Sequence, residues 1–306
     1  MGSFVFIFIN IIVPVFIQIA LGYSLQKKFN LQVGTLSKAI FYVFLPSLLF
    51  AKIYEAEISK EIFIKVVLHS FIVFVLLFLI SWLVAKLKKY PKTLSKAFIN
   101  SVCFYNGGNY CLPIIQLLYN DPFAISIQVI TIMAQNIISN TVGIFNSSSG
   151  SKDTKQALIS VLKVPMAYSI VFALLLKVLN IKLWTPIWSS IDILSQGLVP
   201  LALFTLGAQL ATTSFNFLQP KIYLSNFIRL IASPILAYLV TLALGLQGLI
   251  AQVMIISAAA PTAVNTVLMA IEFDNEPDFA SQTVFSATVF SAVTVTMVIY
   301  LVTNFI

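Results

Sequence analysis

Asn106, Gly107, Gly108, Asn109 and Pro113 sit inside one otherwise apolar stretch of the chain, and Pro261, Thr262 and Asn265 sit inside another. None of these side chains is an acid, a base or a nucleophile. What they offer is broken backbone and neutral hydrogen-bond donors. Pro113 and Pro261 have no N–H and clash with the carbonyl one turn earlier, and Gly107 and Gly108 let the chain leave helical geometry. Unwound backbone at bilayer depth must face protein or water, because lipid supplies no hydrogen bonds. The half-helix that follows a break starts with unpaired N–H groups carrying partial positive charge. Two such ends meeting at the midplane make an anion site without a lysine. The chemistry this predicts is recognition of a small organic anion, a carboxylate above all. Asn106 and Asn265 are placed to donate amides to it, while Asn109 either helps or ties down the unwound backbone.

A third polar group, Gln135, Asn136 and Asn140, interrupts another apolar stretch. Positions 136 and 140 share one helical face, which is expected to look at the break. Amides in membrane helices also bond a neighbouring helix, a contribution of roughly 1 kcal/mol, and both readings stand for these three residues. Tyr105 and Tyr110 either shape the pocket or pack.

Ionisable groups within apolar spans are functional candidates by default, and here they are few. His69 is the lone histidine. Its ordinary pKa suits a proton relay; the alternative is a histidine bonded to a backbone carbonyl. Arg229, the only arginine, either meets a lipid phosphate or braces the polypeptide, since guanidinium suits oxygen partners. Cys103 and Cys111 lie more than a helical turn apart on one span, which disfavours a disulfide, and two thiols make no metal site. An intramembrane enzyme needs a nucleophile, base or metal cluster at depth, and no such set is present. No metal or cofactor is expected. No cluster of buried acids suggests a sodium cage, although carbonyls of unwound helices can also hold sodium. A channel or membrane sensor is the alternative function.

The elements that position these residues follow from composition. The chain has 306 residues, of which 59% are hydrophobic and 9% charged, with a mean hydropathy of +0.99. That excludes a soluble domain and marks an all-α integral membrane protein. The net charge of +8 comes from lysines in short loops, which fits anchoring on an anionic leaflet rather than nucleic acid. The stretch from Phe4 to Leu21 lacks a basic leader and a cleavage site, and reads as a retained helix. About ten spans are expected, near 4–25, 35–53, 62–85, 97–119, 123–146, 157–179, 188–210, 222–244, 248–271 and 279–304, each close to the ~20 residues a bilayer demands.

A Ser-rich segment splits the spans five and five: a first repeat 1–146, a linker 147–156 and a second repeat 157–306. Pro14 and Pro165, Pro46 and Pro200, and Pro113 and Pro261 are separated by 151, 154 and 148 positions. Three pairs at nearly one offset argue for an internal repeat. An odd number of spans per repeat inverts the second copy, and paired interrupted helices in inverted repeats point to a transporter's binding site. Apart from Lys38 and Lys163 near span ends, the lysines divide ten to five between the two faces. The positive-inside rule then predicts both termini outside the cytoplasm, and leaves the sequon Asn146-Ser147-Ser148 on the cytoplasmic side, where it is silent.

The run Asn106-Gly107-Gly108-Asn109-Tyr110-Cys111-Leu112-Pro113 resembles the Asn-x-Gly-x-x-Gly-Leu-Pro signature of the auxin efflux carrier family, with Cys111 in place of the last glycine. Phe227 to Pro234 and Ala260 to Asn265 are similar to that family's second-half motifs. The family includes plant auxin exporters and bacterial malate or malonate permease-like carriers. The resemblance implies a bile-acid/sodium symporter-like fold in which spans four and nine cross at their breaks. It further implies a scaffold of spans one, two, six and seven that often forms a homodimer contact. A transport domain of spans three to five and eight to ten would move as an elevator in the plasma membrane. Lipids and a small organic anion are then the expected partners, and nucleic acid is not.

Overall fold

Prolines set the local geometry of this chain. In the computed structural model, Pro14, Pro46, Pro113 and Pro234 each follow a widened, π-helical turn that ends two residues earlier: Phe8–Ile12, Ile40–Phe44, Gly107–Cys111 and Ile228–Ala232. In all four, the residue just before the proline donates its N–H five residues back instead of four, as Leu112 does to the Gly107 carbonyl. A proline supplies no N–H and its ring crowds the preceding turn; widening that turn relieves the crowding without ending the helix. Pro200 is carried inside a continuous helix.

The structure describes residues 3–55, 59–148, 165–179, 181–213 and 219–306. Twelve helices are named here: α1 Phe4–Phe29, α2 Val33–Glu55, α3 Lys60–Leu87, α4 Lys92–Cys103, α5 Leu112–Tyr119, α6 Pro122–Ser147, α7 Pro165–Val178, α8 Thr185–Leu210, α9 Pro220–Ala243, α10 Gly248–Ala258, α11 Asn265–Glu272 and α12 Pro277–Phe305. Among the described residues there is no strand, only an isolated bridge between Tyr105 and Thr262. Seven helices are long and apolar enough to cross a membrane: α1, α2, α3, α6, α8, α9 and α12. The difference from the expected ten has two sources. The spans near 97–119 and 248–271 are each split into two short helices, and the span near 157–179 is described only from Pro165. The expected linker 147–156 lies outside the described residues beyond Ser148, the residue that follows the last turn of α6.

Packing follows small residues. A Cβ on Gly22 of α1 would run into the backbone of Phe204 in α8, and one on Gly207 of α8 into that of Ile19 in α1. The two helices therefore touch backbone to backbone, as small residues permit in membranes. α2 packs on α7 and α8, α3 on α4 and α6, α9 on α10, α6 on α10, and α12 on α4. Asn146, the sequon residue, donates its amide to Asn100 Oδ1 at 2.8 Å and to the Lys96 carbonyl at 3.2 Å. That amide is committed to α4.

Candidate functional site at the helix crossover

The α4 and α10 helices run into the same region and stop there. Beyond Cys103 and Ala258 the two chains unwind and cross as a short antiparallel pair. Asn106 N–H donates to the Pro261 carbonyl at 2.8 Å, and Ala263 N–H donates to the Phe104 carbonyl at 2.9 Å. Each unwound chain thus satisfies part of the other's freed backbone, as burial requires. Thr262, fully buried, donates its hydroxyl to the Ser101 carbonyl at 2.9 Å in the last turn of α4. Pro261 and Thr262 hold the crossing together, and Pro113 lies a turn inside the next helix, buried.

Past the crossing both chains resume helix. The segments that begin at Gly107 and at Asn265 open on one cavity of about 70 Å³. Its wall contains Asn106, Gly107, Gly108 and Asn109 from one chain, Asn265 from the other, and Gln135 and Asn136 from α6. Seven of the ten residues expected to bind substrate therefore share this wall, and Pro113, Pro261 and Thr262 stand behind it. Gly107 is packed: an added Cβ would sit 3.3 Å from Ile132 Cγ1. Gly108 faces open space, with nothing within 4 Å of such an atom.

Asn106 is the informative side chain. It is 7% exposed. Its Oδ1 accepts the Asn109 N–H at 3.1 Å, which caps the resumed helix. That bond fixes the amide's orientation, because an N–H needs an oxygen. Its Nδ2 then points the other way and has no partner among the described protein groups. A buried donor left unmade costs about 1–3 kcal/mol, so this amide is poised for an acceptor that enters the cavity.

Two residues that sequence reasoning missed or left open complete the site. Gln128 of α6 is fully buried; its Nε2 donates to the Gly107 carbonyl at 3.0 Å, and its Oε1 accepts from Ser257 of α10. It clamps the first break to the second helix. The available signal was a stripe of buried polar residues, Gln128, Thr131, Gln135 and Ser139, at helical spacing along α6. Arg229 of α9 is fully buried and meets no lipid. Its Nη1 donates to the Val102 carbonyl at 2.8 Å, and its Nη2 donates to the Ala258 carbonyl and to Ser233 Oγ. These carbonyls are the C-terminal ends of α4 and α10, where a cation is favoured. The guanidinium also lies 5.0 Å from the centre of the Tyr105 ring, a cation–π distance. Tyr105 in turn lines the cavity, so one aromatic ring separates the cation from that space.

The remaining candidates lie elsewhere. Tyr110 is buried and accepts from Ser291 of α12 at 2.7 Å. Asn140 returns its amide to the Asn136 carbonyl of its own helix at 2.8 Å. His69 sits on α3, its Nε2–H 3.0 Å from the Ala237 carbonyl of α9, outside the cavity wall. Cys103 and Cys111 are both free and buried.

A family model described as membrane transport protein matches residues 7–299. The "Uncharacterized transporter YfdV" of Escherichia coli (strain K12) is 27% identical over 288 residues, covering 87% of this chain and 88% of that protein. An "Uncharacterized transporter" of Methanothermobacter thermautotrophicus is 25% identical over 296 residues, covering 92% of this chain and 94% of that protein. The matched lengths include both breaks.

Proposed function

The chain belongs to the membrane transport protein family, the auxin efflux carrier family that its broken-helix motifs resemble, and from that premise we propose that it is a secondary carrier for a small organic anion. The observation that carries this reading is the buried, partnerless Nδ2 of Asn106 in a cavity where two helix starts converge. Helix N-termini and an amide donor favour a carboxylate. Arg229 behind Tyr105 adds a positive field, with no carboxylate among the described residues within ion-pair distance to neutralise it. The cavity's 70 Å³ is far below the roughly 300–1,000 Å³ of drug-sized sites. A compact acid such as malate or malonate fits that scale better than an indole-type acid.

The carrier is read as ten spans in two inverted repeats. Exchanging α1 with α7, α2 with α8, α3 with α9, α4 with α10 and α6 with α12 turns the α1–α8 packing into α7–α2. The same exchange turns α3–α4 into α9–α10 and α6–α10 into α12–α4; all six pairings occur. The scaffold is α1, α2, α7 and α8, through which two copies pair. The moving body is α3 to α6 with α9 to α12, which carries the site across as an elevator. Both termini face outward from the plasma membrane. The test is uptake of radiolabelled malate, malonate and related acids into proteoliposomes. Saturable flux of at least one acid is expected; a folded protein that gives none across the panel, or unitary currents in a planar bilayer, overturns the carrier reading.

A further inference from the structure

A second cavity, of about 270 Å³, takes Val129, Ile130 and Met133 of α6 into its wall, a different face of that helix from the Ile132, Gln135 and Asn136 face at the crossover. Its floor is apolar, with Ile53 of α2, Phe63 of α3, Met133 of α6 and Ile170 of α7, and its rim carries two lysines, Lys60 and Lys177. α2 packs on α7, α3 on α6, and α2 on α6; the cavity is where the four helices meet. Leu174 at its mouth is 44% exposed. We propose that this cavity seats one acyl chain of an anionic phospholipid, whose phosphate is held between Lys60 and Lys177.

Charge placement carries the argument. Two other lysines at this end are engaged, Lys52 with Glu55 at 3.2 Å and Lys65 with Glu61 at 2.8 Å. Lys60 and Lys177 form no ion pair with any described residue. Lys60 also occupies the first turn of α3, where the helix dipole disfavours a cation, so helix stability does not account for it. Length agrees with the assignment. From Lys177 to Ile170 along α7 is about 10 Å, and Met133 lies about 16 Å along α6 from its start at Pro122, at 1.5 Å per residue. A headgroup at the lysines therefore sends its chain toward mid-bilayer, as a lipid must. Met133 faces this chain while its neighbour Ile132 faces the crossover cavity. The two cavities thus share α6 as a common wall.

Retention of lipid is measurable without any transport, so this inference and the carrier reading fail separately. The full-length protein is equilibrated in bilayer discs of equal phosphatidylglycerol and phosphatidylcholine, extracted in mild detergent and assayed for bound lipid by native mass spectrometry. Wild type is expected to retain phosphatidylglycerol in preference. The double variant Lys60→Gln, Lys177→Gln should lose that preference by about 30-fold, each lysine near a headgroup being worth about a factor of five. Lys52→Gln with Lys182→Gln removes equal charge at the same end and should leave the preference intact. Glycerol phosphate alone should displace nothing. No preference in wild type, equal loss in both double variants, or displacement by glycerol phosphate each overturns the proposal. The lysine variants are half-exposed or exposed, and an unchanged unfolding temperature certifies their fold.

Discussion

Replacing Asn106 separates its two jobs. Its Oδ1 caps the Asn109 N–H at 3.1 Å, and losing such a cap costs about 1 kcal/mol of stability, or about 2–4 °C in unfolding temperature for a chain of this size. Its Nδ2 has no protein partner, so removing that group costs the fold nothing further. A neutral donor to a carboxylate contributes about 1.5–3 kcal/mol, which is about a 10- to 150-fold loss of apparent affinity. Asn106→Ala should therefore show both effects. Asn106→Ser keeps a capping oxygen of similar quality but withdraws the amide, so it should unfold near the wild-type temperature and still lose affinity. Uptake into proteoliposomes at graded acid concentration, beside thermal unfolding in detergent, reads the two quantities independently. Recovery of both by serine would show that the cap alone mattered, and the donor argument would fall.

Other substitutions probe the surrounding frame. Gly108→Ala meets open space, so it should fold normally yet narrow the cavity and slow uptake; unchanged uptake would place substrate elsewhere. Gly207→Ala drives a methyl into the Ile19 backbone and should lower stability by at least the roughly 1–3 kcal/mol of ordinary overpacking, read as a lost or lowered unfolding transition. Arg229→Met leaves the Val102 carbonyl without its guanidinium donor, at about 1–3 kcal/mol, while the Ala258 carbonyl keeps the Ser233 hydroxyl at 2.8 Å; Arg229→Lys should rescue only in part, because one ammonium cannot span both helix ends. A reporter fused after Ile306 should read as external, and a cytoplasmic signal would invert the orientation.

The breaks were legible because they are local. Gly107, Gly108, Pro113 and Pro261 impose their backbone consequences wherever they occur: the chain unwinds over residues 104–106, just before the two glycines, and at Pro261, whereas Pro113 is absorbed by a widened helical turn. The convergence of Asn106, Gln135, Asn136 and Asn265 followed from asking which polar groups a broken span must face. What stayed hidden depends on distance in the sequence. The Arg229 partners lie 127 and 29 positions away, and no local rule links a guanidinium to two helix ends. Asn140, for which both readings stood, returns its amide to the Asn136 carbonyl one turn back, beside the widened turn Ser139–Gly143. Gln128 escaped because a single glutamine among isoleucines reads as an isolated polar residue until the stripe through Thr131, Gln135 and Ser139 is traced.

The position of Arg229 bears on selectivity more than its identity does. A lysine or arginine inside the cavity would bind an anion directly and release it slowly, whereas a carrier must let go on the far side. Here the guanidinium is occupied by carbonyls at two helix ends and screened by the Tyr105 ring. Its two Nη groups are therefore spent on structure, yet its field remains. At an effective dielectric of 20, a unit charge about 10 Å away is worth roughly 1.7 kcal/mol, close to twentyfold in affinity and equal for any monoanion. Shape and hydrogen bonding then fall to Asn106 and the helix starts. On this division of labour, a substitution at Tyr105 that keeps the ring, such as Tyr105→Phe, should alter which acid is preferred while leaving the preference for anions over neutral analogues in place. Competition of the uptake assay by each acid and its neutral amide measures both, and a loss of anion preference in Tyr105→Phe would show that the tyrosine hydroxyl, not the buried cation, selects charge.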